Sequence, residues 1–280
     1  MIDLSFSTVL VAGLLVVAVA YGTRVALRGR ARHPRSDADG GSLLLGKSVM
    51  EMGYWLLAPV ARLLARRGVS ADTVTTMALV PGLGAGIMAG TGHLGLACAL
   101  GAAAAICDLL DGLVARERGC SAKSGELLDA TVDRYVETFL LGGLAVHFRA
   151  HQVLLVLTIL ALLGTFMVSY GSARIQSLGI PAPRGFMRRA ERAVFILAPC
   201  GVTPLFSKWL MAGHSEIWLR EWPLIVGLVV VAVGANLSAF YRLRISLLRL
   251  QGRSGRATRF RAVANPSSLE GDPTLRSIRG

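Results

Sequence analysis

The sequence predicts an all-α polytopic membrane protein: a bundle of six core transmembrane helices, preceded by an interfacial amphipathic helix and one extra N-terminal transmembrane helix. Three observations predict it. Hydrophobic residues make up 53% of the 280-residue chain and charged residues only 17%, too apolar a balance for an ordinary soluble domain. Apolar runs at about 72–90, 94–117, 125–148, 152–173, 190–212 and 222–247 each approach the ~20 residues that cross a bilayer. The formal net charge of +13 falls between those runs and at the C-terminus. That placement suits anionic lipid headgroups and membrane topology, and it excludes nucleic acid as the expected partner.

From the N-terminus, residues 4–22 are almost wholly apolar and are followed by Arg24, Arg28, Arg30, Arg32 and Arg35. The charges follow the run instead of preceding it, and no small-residue cleavage site ends it. Residues 1–28 therefore read as a retained membrane helix and not as a signal peptide. Residues 29–46 form a basic, polar linker. In 47–67, Val49, Met52, Leu56, Val60, Leu63 and Leu64 recur at helical spacing, opposite Lys47, Glu51, Arg62, Arg66 and Arg67. This pattern places an amphipathic helix in the membrane interface, kinked at Pro59. Residues 47–248 form the expected membrane domain, and 249–280 a basic, disordered cytoplasmic tail.

Gly82, Gly86 and Gly90 recur every four residues, which serves either close packing within the chain or a homodimer face. Cys98, Cys107, Cys120 and Cys200 have no C-x-x-C spacing and read as small membrane-helix residues, not as a metal site or disulfide frame.

The sharpest feature lies between 108 and 133. Asp108 and Asp111 are three residues apart on one apolar segment, and Asp129 and Asp133 are four apart on the next. Either spacing puts a pair on one helical face. The short link at 117–124 makes the two helices antiparallel neighbours, so all four acids can meet at one level. Acids inside membrane helices are unfavourable and mark function. Four adjacent carboxylates repel unless a cation joins them, and oxygen donors suit Mg²⁺ or Mn²⁺. Two such ions would clamp a phosphoryl group between attacking and leaving oxygens. Gly112, Ala115 and Gly125 leave the helix faces beside the acids bare, and Arg116 can grip a phosphate.

Charge fixes the expected orientation. The 174–192 loop carries Arg174, Arg184, Arg188, Arg189 and Arg192, and further arginines run from Arg242 to Arg261. The opposite connections carry little beyond Arg149, Lys208 and Arg220. The acids are thus expected at the cytoplasmic face.

The pattern D108-x-x-D111-G112-x-x-A115-R116, eight residues, G125-x-x-x-D129-x-x-x-D133 resembles the signature of the CDP-alcohol phosphotransferase (phosphatidyltransferase) family over roughly residues 45–248. That resemblance implies transfer of a phosphatidyl group from a CDP-linked lipid, such as CDP-diacylglycerol, to an alcohol, with release of CMP, in a bacterial plasma membrane. It implies that Asp108, Asp111 and Asp129 hold Mg²⁺, two ions in all, with Mn²⁺ as the substitute. Asp133 is implied as second-metal ligand and general base. Gly112, Ala115 and Arg116 are implied as the CDP cradle, joined by Asp72, Thr75, Ser121 and Gly125. The family's Pro-Asn-x-x-Thr opening is here Ala71-Asp72-Thr73-Val74-Thr75, and Asp72 reads equally well as a helix N-cap. Where members often carry a hydroxyl six residues after the motif Arg, this chain has Ala122, with Ser121 beside it.

For the acceptor, Arg174, Arg188, Arg189 and Arg192, with Lys123, suit a small phosphorylated alcohol; as topology determinants they need no ligand. Arg189, Glu191 and Arg192 match a stretch of the phosphatidylinositol phosphate synthase branch, while Arg188 and Ser172 depart from it. Inositol phosphate is favoured as acceptor, ahead of glycerol 3-phosphate and then unphosphorylated inositol or serine. A Mg²⁺-dependent membrane prenyltransferase and a carboxylate-path ion transporter are the alternatives of other classes. Neither fits well: the Asp pairs lie on consecutive helices, and the acids gather at one membrane face, not at the midplane.

Overall fold

The computed structural model describes residues 2–29, 46–119, 122–183, 185–211, 213 and 215–264. Among the described residues ten helices run α1 Ile2–Arg28, α2 Gly46–Arg66, α3 Ala71–Met77, α4 Leu79–Gly90, α5 Leu94–Glu117, α6 Lys123–His147, α7 Gln152–Ser177, α8 Arg189–Trp209, α9 Ile217–Arg220 and α10 Trp222–Ala264. Among the described residues five stretches are long and apolar enough to cross a membrane: Asp3–Leu27, Ala71–Gly90, Leu94–Glu117, Gln152–Ser177 and Trp222–Gln251. Helix α6 is 25 residues long but holds Asp133, Arg134 and Glu137 in its middle, so composition alone does not mark it as a span. Together these make an integral membrane protein.

The 72–90 segment is one span broken in two. Ala78 separates α3 from α4, and the cause lies three residues on. Pro81 has no N–H for the Met77 carbonyl, and its ring presses on that carbonyl. The break lets α3 lean on α5 and α6 while α4 runs along α6.

Glycines set how closely α4 and α6 approach. A Cβ on Gly86 would meet the Phe139 backbone, and one on Gly143 would meet Gly86 itself; Gly82 abuts Val136 and Gly90 the Gly143 carbonyl. The Gly82–Gly86–Gly90 stripe is therefore occupied within the chain, and the homodimer face expected as its alternative use gains no support from it.

A dry core fills one half of the bundle. Ala85, Ala97, Leu141, Leu154, Cys200 and Leu228 are among its buried members. Cys98, Cys107 and Cys200 are free thiols, as their spacing predicted; Cys120 lies outside the described residues. The acids sit at the other end of α5 and α6.

Helix α2 shows three faces where the sequence suggested two. Tyr54, Leu57 and Ala61 pack with Val74, Leu110, Leu113 and Val114, Leu56, Val60 and Leu63 are exposed, and Arg62, Arg66 and Arg67 form the basic side. Glu51, expected on that solvent side, is buried because Tyr21 of α1 donates its hydroxyl to it at 3.2 Å. Helix α1 is held at its other end too, where the Leu96 amide donates to Asp3 at 3.0 Å, a carboxylate serving the first turn of α5.

Helix α10 corrects the expected start of the disordered tail. It continues through 249–264, and its 43 residues make it about 64 Å long at 1.5 Å per residue, twice the ~30 Å hydrocarbon layer. Residues 265–280 and the linker at 30–45 lie outside the described residues.

Gly86→Ile should force α4 from α6 and cost about 1–3 kcal/mol, the scale of an overpacked core. Thermal unfolding in detergent checks this; an unchanged midpoint would contradict the close approach.

Candidate active site

Helices α5 and α6 bring the four acids together as their spacing required. One carboxylate oxygen from each of Asp108, Asp111 and Asp129 lies within 4.8 Å of the other two. Asp133 completes a small enclosed space with them, walled by Thr75, Ala78, Ala104, Val132, Val136 and Arg189. Asp111 and Asp133 are buried, whereas Asp108 and Asp129 are half-buried. Thr75 of α3 donates its hydroxyl to Asp111 Oδ2 at 2.6 Å, which holds that carboxylate in place. Thr75 is where it is because α3 breaks from α4 and leans over α5.

One guanidinium enters the cluster. Arg189, in the first turn of α8, donates to Asp108 Oδ1 at 2.5 Å and also pairs with Asp133 Oδ1. Expected on the acceptor side, Arg189 instead bridges the acids of two helices. The hard oxygens of the carboxylates converge within a cation's reach. The donor set therefore fits a divalent metal held by Asp108, Asp111 and Asp129.

A second layer of polar residues, Arg134, Glu137, Ser169 and Arg192, is linked to the acids through Arg134. Arg192, only 2% exposed, donates to Glu137 at 2.9 and 3.2 Å, so it too faces a carboxylate where an acceptor phosphate was expected. Arg134 pairs with the same Glu137 and donates to Ser169 at 2.6 Å. Its guanidinium stands 4.0 Å from Asp133 Oδ2. Glu137 lies four residues beyond Asp133, so the i, i+4 spacing of a further acid in a membrane helix was the available signal.

Arg242 was read only as part of the basic C-terminal run. It comes from α10, donates to Ser172 at 2.6 Å, and lies within electrostatic range of Arg188 and Arg192. Its Nε is buried and makes no hydrogen bond, and among the described residues it pairs with no carboxylate. No local pattern announces it, since the pairing with Ser172 joins residues 70 apart in sequence. Arg188 starts α8 with its amide donating to Glu191 at 2.8 Å. Arg174 is exposed and lines a groove between α7 and α10 with Arg242. Lys123 is exposed at the start of α6.

On the opposite side, Arg116 is exposed and lies over the Tyr54 ring of α2 at 5.8 Å from its centroid. Gly112 and Ala115 are half-buried on the same helix. Asp72 is not the N-cap: Ser70 is extended and accepts from the Thr73 amide at 3.1 Å. Asp72 faces α6 instead, and a Cβ on Gly125 would stand 3.0 Å from its Oδ1. The bare face expected at Gly125 is thus the space that Asp72 uses. Ser121 lies outside the described residues.

A family model described as CDP-alcohol phosphatidyltransferase matches residues 69–235. The phosphatidylinositol phosphate synthase of Streptomyces avermitilis is 32% identical over 260 residues, covering 89% of this chain and 98% of that protein. The phosphatidylinositol phosphate synthase of Corynebacterium glutamicum is 32% identical over 197 residues, 68% of this chain and 86% of that one. Among solved structures, Mycobacterium tuberculosis phosphatidylinositol phosphate synthase with CDP-DAG bound aligns at a TM-score of 0.59 and 27% identity, over 68% of this chain and 92% of that chain. The same enzyme in complex with manganese and citrate aligns at 0.60 and 28%, over 68% and 88%.

Thr75→Val removes the hydroxyl that holds Asp111 while keeping its shape. Mn²⁺ affinity, read by electron paramagnetic resonance of the free ion, should fall about tenfold, the low end for losing a ligand-orienting partner. Unchanged affinity would separate Thr75 from the cation site.

Proposed function

The chain belongs to the CDP-alcohol phosphatidyltransferase family, and from that premise we infer that it moves the phosphatidyl group of CDP-diacylglycerol to inositol phosphate, with release of CMP. Family membership replaces the prenyltransferase and ion-transporter alternatives. The inositol phosphate acceptor is supported by the synthases to which the chain is similar. Within the site it rests on one observation above all: Arg242, with its buried unbonded Nε, stands in range of Arg188 and Arg192. A half-buried guanidinium with an unbonded Nε and no carboxylate partner is unfavourable unless an anion completes it.

On this reading Asp108, Asp111 and Asp129 hold divalent cations, Mg²⁺ or Mn²⁺ and two in number, with Asp133 as a further ligand. When bound, the cations neutralise the diphosphate of the donor. Arg116 meets that diphosphate from the α2 side, and Tyr54 keeps its guanidinium in place. Gly112, Ala115, Gly125 and Asp72 line the cytidine side. On the other side, Arg242 with Arg188 binds the acceptor's phosphate and turns a ring hydroxyl toward Asp133.

Two oxygens of Asp133 have different work. Oδ1 pairs with Arg189, which anchors the carboxylate. Oδ2 is 4.0 Å from Arg134, beyond hydrogen-bonding distance, and is the oxygen left to take a proton. The acceptor hydroxyl oxygen forms a bond to the lipid-bearing phosphorus as its proton passes to Oδ2. The bond from that phosphorus to CMP breaks, and CMP leaves with the electron pair. The protein's share is mainly positioning and charge. Glu137 pairs with both Arg192 and Arg134 and so holds Arg134 near this oxygen; both arginines are positioning residues. The excess of arginine in 174–192 and on α10 orients the site to the cytoplasm, where inositol phosphate is dissolved and the donor arrives from the bilayer.

Purified protein in bilayers, with CDP-diacylglycerol and Mg²⁺, tests this by CMP release. Inositol phosphate should be used well ahead of glycerol 3-phosphate and unphosphorylated inositol; a preference for either of the others would overturn the acceptor assignment. Arg242→Gln should raise the KM for inositol phosphate about tenfold or more, the scale of one charge-assisted hydrogen bond, with the KM for CDP-diacylglycerol little changed. Equal loss of both would remove Arg242 from the acceptor side. Asp133→Asn should lower kcat by roughly 10²–10⁴, the range of a general base; near-normal turnover would deny it that role.

A further inference from the structure

The guanidinium of Arg189 and a divalent cation have a claim on the same carboxylate. Arg189 Nη1 donates to Asp108 Oδ1 at 2.5 Å, and Nη2 pairs with Asp133 Oδ1. Asp108 also supplies one of the three oxygens that gather within 4.8 Å. A guanidinium and a divalent cation on one carboxylate repel each other. A lone pair that accepts from an N–H is also one that a metal cannot use.

The room available sharpens this conflict. The space walled by the four acids holds about 10 Å³, close to the minimum that admits one water molecule. A cation carrying a diphosphate needs more. Thr75, Ala78, Ala104, Val132 and Val136 wall the space with short side chains, and these yield only if a helix moves. The Arg189 side chain is the longest in the wall and is 33% exposed, so it can withdraw while α8 stays in place. Its two nitrogens hold different acids. The bond to Asp133 can therefore persist while Asp108 is handed over, as the anchoring of Asp133 requires.

We propose that Arg189 is a built-in competitor of the divalent cation. It joins Asp108 to Asp133, yields Asp108 as the cation binds, and keeps the cation's affinity below what the carboxylates alone would give. This rests on the reading of Asp108, Asp111 and Asp129 as the cation's ligands. The ordinary role for a hydrogen-bonding neighbour of a metal ligand is the reverse: it orients the ligand and raises affinity. Removing Arg189 distinguishes the two roles by the sign of the change.

The test is Mn²⁺ binding to the full chain in detergent, read by electron paramagnetic resonance of the free ion. Arg189→Met should bind Mn²⁺ about tenfold more tightly, because the cation no longer displaces one charge-assisted hydrogen bond. Arg189→Lys keeps the charge but lacks the fork that reaches two acids, and should fall between Arg189→Met and wild type. Mn²⁺ should also raise the melting temperature of Arg189→Met more than that of wild type, as tighter binding requires. Asp111→Asn checks the premise and should weaken Mn²⁺ binding. If it does so while Arg189→Met binds Mn²⁺ as wild type does, or more weakly, the competition is overturned and the cation site stands. If Asp111→Asn has no effect, both fall. Should Arg189→Met fail to fold, Arg189→Lys decides alone: binding no tighter than wild type overturns the proposal.

Discussion

Mutual repulsion among four carboxylates, held at one end of two adjacent membrane helices, is the constraint that the surrounding structure answers. Asp111 and Asp133 are buried, and at an effective dielectric of about 20 each like-charge pair at 4 Å opposes the fold by roughly 4 kcal/mol. Arg189 answers part of it by joining Asp108 to Asp133 across two helices. A bound divalent cation would answer the rest, so the site is built to be incomplete without its ligand. The fold places this unfavourable cluster opposite the dry core, whose small and aliphatic residues carry the packing. Stability and chemistry are thus assigned to different halves of the bundle.

Around the acids, each flank has its own device for fixing position. On the Arg116 side, a chain of contacts runs from α1 through Tyr21 and Glu51 to α2, and from Tyr54 of α2 to Arg116. The N-terminal helix therefore braces the element that covers Arg116. On the Asp133 side, Glu137 carries Arg134 and Arg192 at once, and Ser169 and Ser172, one turn apart on α7, receive Arg134 and Arg242. A buried charge network of this kind contributes geometry more than net stability.

The sequence carried the acid site because its information is local. Spacings of three and four residues on two neighbouring helices set the convergence of Asp108, Asp111, Asp129 and Asp133, and the apolar runs marked the spans to within a few residues at most ends. What escaped depends on tertiary contact. Nothing near Arg189 and Arg192 in sequence names Asp108 or Glu137 as their partners, 81 and 55 residues away. Glu51 looked solvent-facing until α1 brought Tyr21 against it. Asp72 looked like a cap, but Ser70, two residues earlier, holds the extended conformation a cap needs. Pro81 was a legible breaker whose effect falls at Ala78, one turn before it.

The central claim is that the acceptor attacks the lipid-bearing phosphorus and that CMP is the leaving group. It is tested most directly by CDP-diacylglycerol carrying isotopic label only in that phosphate, incubated with the protein, Mg²⁺ and inositol phosphate, with both products weighed by mass spectrometry. The account predicts all label in a phosphatidylinositol phosphate lipid, with unlabelled CMP formed in equal amount. Label leaving as CDP, or CMP formed at the same rate without acceptor, would contradict it.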